Sequence, residues 1–124
     1  MSPWLCLVMG SILGGFARYW AAGAMLRSVG SSFPFGTLFV NLSGCLLIGF
    51  FDVLASEKLR LSANMRMLLM TGFCGAFTTF STFILETAHL LKDGQSLRAT
   101  ANFLLSCVLG YCLYRVGASF GRWV

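Results

Sequence analysis

Charge is what this chain has least of. Nine Lys and Arg and four Asp and Glu make only 10% of its 124 residues charged, against roughly 25% in an ordinary soluble domain. With 57% hydrophobic residues and a mean hydropathy of +0.80, that scarcity excludes a soluble globular fold and puts the chain in the membrane class. Histidine is nearly absent too: His89 stands alone. The five cysteines, Cys6, Cys45, Cys74, Cys107 and Cys112, all lie in apolar runs and form no C-x-x-C pair. One imidazole and scattered thiols do not make a zinc site, so the cysteines read as small buried hydrophobes. No nucleophile stands with a base and an orienting partner, so no enzyme is indicated. The net charge of +5 gathers on no one segment, and no nucleic-acid surface follows. The basic residues fall mostly between or at the edges of the apolar runs, as they do in membrane loops. The opening MSPWLCLVMG has no cationic region, and its apolar run is too long for a signal peptide, so it reads as an uncleaved span.

What is present is long hydrophobic runs. Crossing about 30 Å of hydrocarbon at about 1.5 Å per residue takes about 20 apolar residues. Four segments meet that test, at residues 4–26, 35–55, 67–91 and 99–120. The turn RSVGSSFPFG, the polar link SEKLRLSANMR and the short KDGQSLR separate them. In lipid the backbone must satisfy its own polar groups, so the expected fold is an all-α membrane protein, one domain of four transmembrane helices. An even number of spans puts both termini on one side. Lys58, Arg60, Arg66, Arg115 and Arg122 then lie on the terminal side, against Arg27, Lys92 and Arg98, joined by Arg18 if it snorkels that way. So weak an excess permits insertion in both orientations. Four helices cannot pack on one another and also enclose a pore, so the expected assembly is an antiparallel twofold homodimer.

The segment GFCGAFTTFSTF, residues 72–83, carries four hydroxyl side chains and four phenylalanines behind two glycines. Glycine and β-branched threonine weaken a helix by up to about 1 kcal/mol each, which predicts a break between Gly75 and Thr79. Breaks at membrane depth are tolerated where the backbone is buried in protein or lines a cavity, and their freed carbonyls can coordinate a small cation. Tight packing through small residues explains the same composition equally well. Phe80 and Phe83 share a face at i, i+3, while Thr79, Thr82, Phe83 and Glu86 trace an overlapping one. Ring edges are electropositive and can hold an anion beside hydroxyl donors; two core or lipid-facing rings are the plainer account. Asn41 is an amide deep in the second span, either a donor to a passing ion or glue between helices. Asn102, Ser106 and Gly110 trace a polar stripe on the fourth span. Arg18 sits well inside the first, where an arginine costs at least about 2.5 kcal/mol unless it faces water or snorkels. Gly10-x-x-x-Gly14 and Gly117-x-x-x-Gly121 read as helix-contact motifs. Glu86 and His89, near the end of the third span, read as interfacial rather than as a proton relay.

Taken together, GGFARYW, FPFGTLFVNLSG and TGFCGAFTTFSTF resemble the signature segments of the Fluc (CrcB) fluoride channels of microbial membranes, and the resemblance runs over nearly the whole chain. It implies a dual-topology homodimer in the cell's inner membrane with two antiparallel pores that let toxic fluoride leave passively. It also implies a structural sodium ion at the dimer centre, held by backbone carbonyls that fall on Gly75 and Thr78. By motif, the ion pathway falls on Asn41, Phe80, Ser81, Thr82 and Phe83, with Arg18 on the first span and Ser106 on the fourth. Asn102 and Gly110 depart from that pattern, where some members carry a tyrosine and a serine.

Two rival readings remain. A small multidrug-type proton-coupled exporter would need a membrane-embedded glutamate in the first span, and the first acidic residue here is Asp52. A non-transporting membrane adaptor would not need the Asn41, Phe80 and Phe83 constellation.

Overall fold

A computed structural model describes every residue from Met1 to Val124. All regular structure is helical. Helix α1 (Pro3–Val29) opens on a proline, whose missing N–H has no helical partner there anyway, and closes at Gly30 with φ 79°. Helix α2 (Phe35–Val53) follows Pro34 and winds on into a π-helical turn over Leu54–Lys58. Ser62 then caps α3 (Ala63–Arg66) by accepting the Met65 amide. The same span continues as a π-helix over Met67–Cys74, then α4 (Gly75–Phe77) and, after two extended residues, α5 (Phe80–Lys92). Helix α6 (Ser96–Trp123) completes the chain.

Four helical runs are long and apolar enough to cross a bilayer: Pro3–Val29, Phe35–Lys58, Ala63–Lys92 and Ser96–Trp123. They reach beyond the apolar windows read from the sequence. The segment read as a polar link is largely helical, and its ends are tied by side chains. Arg66 donates from Nη2 to the Ala55 carbonyl at 2.7 Å and from Nε to the Leu61 carbonyl at 3.3 Å. Polar residues at a membrane edge continue a helix when such partners satisfy its terminal groups.

Two long contacts build the bundle: α1 against the first half of the third span, and α2 against α6. Both are backbone-to-backbone. A β-carbon at Gly14 would collide with the Phe73 carbonyl, and one at Gly117 with the Leu46 carbonyl. Small residues allow this approach, which matters because lipid supplies little hydrophobic drive between helices. A small core of Ala21, Val40 and Phe77 joins α1, α2 and α4 beside the extended residues. Trp4, Ile12, Leu104 and Val108 lie on the outer surface, as lipid-facing side chains do. Asp52 is paired, accepting from the Tyr114 hydroxyl at 2.7 Å.

Candidate functional site

The third span changes conformation at two residues. Thr78 (φ −92°, ψ 159°) and Thr79 (φ −150°, ψ 116°) are extended, while Gly75 is helical (φ −62°, ψ −38°). Low helix propensity permits this, but particular partners stabilise it. The Thr78 hydroxyl donates back to the Cys74 carbonyl at 2.9 Å. Thr79 caps α5, its hydroxyl oxygen accepting the Thr82 amide at 3.3 Å. Asn41 pairs with the backbone of Thr79 on both edges: its Nδ2 donates to the Thr79 carbonyl at 2.9 Å, and its Oδ1 accepts the Thr79 amide at 2.8 Å.

These bonds divert amides from their helical acceptors. In an unbroken helix the Gly75 carbonyl would take the Thr79 amide, and the Thr78 carbonyl the Thr82 amide. Here those amides go to Asn41 and to the Thr79 hydroxyl. Two carbonyl oxygens are thereby left without their helical donors. No three His, Cys, Asp or Glu side chains converge anywhere.

Beyond the interruption, Phe80 and Phe83 contact each other with ring centroids 5.8 Å apart, tilted at 53°. Their environments differ sharply: Phe80 is 74% exposed and Phe83 only 4%. Phe83 also stacks on Phe103 of α6, 6.0 Å away. Ser81 is exposed beside Phe80. A polar line runs behind Phe83: buried Asn102 donates to Thr87 Oγ1 at 3.0 Å, and Thr87 donates to the Phe83 carbonyl at 2.7 Å. Ser106, one turn on from Asn102, buries its hydroxyl with no partner in the chain.

A broad groove of about 1350 Å³ opens on another side, bounded by Arg18, Thr37, Thr79, Thr82, Glu86 and His89 among others. Arg18 forms no ion pair, because the chain's single salt bridge joins Arg122 to Glu57. Its guanidinium lines the groove without an ion-pair partner. Glu86 accepts the Thr37 hydroxyl at 2.8 Å, and its other oxygen is buried without a partner.

Within the chain the expected site residues thus occupy separate surfaces. Arg18 and Thr82 line the groove, Phe80 and Ser81 are exposed, Phe83 packs on Phe103 of α6, and Ser106 buries its hydroxyl on α6. Asn41 sits behind the interruption, holding it. Sequence reasoning took Glu86 for an interfacial residue and passed over Thr37; the structure joins them in the groove. The signal was there, since Glu86 continues the Thr79, Thr82, Phe83 face and Thr37 lies one turn before Asn41.

Four helices, each long and apolar enough to cross a bilayer, define a multi-pass membrane protein. Residues 5–118 match the family described as CrcB-like protein, Camphor Resistance (CrcB), and the chain belongs to that family. A fluoride-specific ion channel FluC of Methylococcus capsulatus is 42% identical over 116 residues, covering 94% of this chain and 51% of the relative. This chain thus spans about half the length of that protein. Proteins with the same description from Methylocella silvestris and Maridesulfovibrio salexigens are 43% and 39% identical. Those matches cover 91% and 98% of this chain, and 86% and 97% of the relatives.

Proposed function

We propose that this chain is the subunit of a fluoride channel. The observation that carries the reading is the interrupted third span: it presents hydroxyls, an exposed aromatic ring and freed carbonyls at membrane depth, in a family whose relatives bear the name fluoride-specific ion channel. Fluoride holds its water tightly. A pore for it must replace that shell with several weak donors, because conduction needs binding that is favourable yet escapable. Hydroxyls of Ser81, Thr82 and Ser106, the second N–H of Asn41 and the ring edges of Phe80 and Phe83 are donors of that kind. Arg18 draws anions toward the groove.

The working unit in this reading is an antiparallel homodimer with two pores. One subunit leaves Phe80 largely exposed, and a second copy would cover it. Two copies also bring their interruptions together, so that the Gly75 and Thr78 carbonyls of both would hold a structural sodium ion, as unwound segments do in transporters. The weak difference in loop charge lets the two copies insert in opposite orientations. Cysteines introduced singly near each terminus, on a cysteine-free background, should be labelled from both sides of the membrane. Labelling from one side only would remove the antiparallel dimer.

One observation favours a coupled exporter instead. Glu86 is a carboxyl within the third span, with one oxygen unpartnered, and such a group can carry protons. The two readings part in liposomes. A channel passes fluoride down its gradient, with the proton gradient collapsed by an ionophore, and excludes chloride. Purified protein and a fluoride electrode, repeated with chloride, measure this directly. Fluoride flux that stops when the proton gradient is collapsed would mean a coupled transporter.

A further inference from the structure

The interruption lies opposite a matching feature on α2. Asn41 and Gly44 stand at i, i+3, so they present one face, and each engages one of the two extended residues. Asn41 hydrogen-bonds both polar groups of Thr79. Gly44 receives Thr78: a β-carbon placed on Gly44 would overlap the Thr78 Cγ2 methyl. The next atoms it would meet are Phe77 Cδ1 at 3.5 Å and Thr78 Cβ at 3.6 Å, both ordinary contacts. One methyl group therefore stands between this site and an alanine. That methyl cannot rotate away freely, because the Thr78 hydroxyl on the same β-carbon is held by the Cys74 carbonyl.

We propose that the Asn41–Gly44 face of α2 is a template that positions the interruption, Asn41 as a surrogate peptide group for Thr79 and Gly44 as the socket for Thr78. Asn41 takes the amide that an unbroken helix would send to Gly75, so the template releases the Gly75 carbonyl and keeps Thr78 extended. In this role Asn41 and Gly44 are positioning residues. They act through the third span, Asn41 on the Thr79 backbone and Gly44 on the Thr78 side chain. For flux the inference rests on the fluoride-channel reading, but for stability it stands alone.

Gly44→Ala and Thr78→Ser form the central test. Gly44→Ala alone drives a methyl into a methyl whose rotamer is fixed, so flux should fall at least about tenfold and the melting temperature in detergent should drop. Thr78→Ser removes only Cγ2 and keeps the hydroxyl for Cys74. The Gly44→Ala, Thr78→Ser double variant should therefore return to the melting temperature and flux of Thr78→Ser. This holds even if Gly44→Ala by itself does not assemble, since assembly is then what the second change restores. Wild-type behaviour of Gly44→Ala, or a double variant no better than Gly44→Ala, would overturn the socket.

Asn41→Ala is read by melting in sodium against N-methyl-D-glucamine without fluoride. Loss of the sodium-dependent stabilisation supports the template, whereas full retention would mean that Asn41 serves only the anion. If the wild-type protein melts alike in both cations, the sodium reading falls, and the Gly44 and Thr78 pair alone decides the template.

Discussion

Replacing Phe80 by isoleucine lowers fluoride flux at least about tenfold while the protein still assembles. In the fluoride-channel reading the ring would offer electropositive edges to the anion, and isoleucine has similar apolar bulk without a quadrupole. Loss of 1.4 kcal/mol at the barrier corresponds to that factor in rate. The structure makes Phe80 the cleaner of the two positions. It is 74% exposed in the subunit, so its truncation leaves little cavity there, whereas Phe83 is 4% exposed and stacked on Phe103. Phe83→Ile should therefore lower both flux and melting temperature, the lost aromatic pairing alone costing up to about 1.5 kcal/mol of stability. The Phe80→Ile, Phe83→Ile double variant should assemble but conduct poorly. Wild-type flux in that double variant, correctly assembled, would sink the aromatic pathway, though not the channel.

The second large effect is on folding. Gly117→Leu should abolish the stable protein, and Gly14→Leu should do nearly the same. At both positions the first added carbon meets a backbone carbonyl, of Leu46 and Phe73 respectively. A crowded side chain can change rotamer, but a backbone inside a helix moves only with the whole helix. Overpacking in a yielding core costs about 1–3 kcal/mol, and these sites should exceed that range. Yield of monodisperse protein and its melting temperature are the measurements. Gly15→Leu is the control, because a β-carbon there meets nothing within 4 Å. If Gly117→Leu and Gly15→Leu proved equally stable, the close helix crossing would be wrong.

Several of these features could be read without coordinates. Four apolar runs separated by Gly, Ser and charged residues specify four spanning helices, because hydrocarbon forces each backbone to bond within its own segment. The spacing of Gly10 with Gly14 and of Gly117 with Gly121 marked helix contacts for a similar reason: only small side chains let two backbones approach closely. The family was legible too, since GTLFVN and TTFSTF are specific as a pair.

Tertiary structure decided what each polar residue does. Composition showed that residues 72–79 make a poor helix, yet Gly75 stays helical and the extended pair is Thr78 and Thr79. That choice depends on Asn41, 38 residues from Thr79 in sequence, and on the missing side chain of Gly44. Phe80 and Phe83 look equivalent by spacing, but α6 brings Phe103 against only one of them. Only the crossing of α2 with the third span shows that Glu86 has Thr37 beside it. Periodicity along one helix specifies a face and nothing about what meets that face. The partner is set by how closely the helices cross, and here that distance is governed by glycines on other spans.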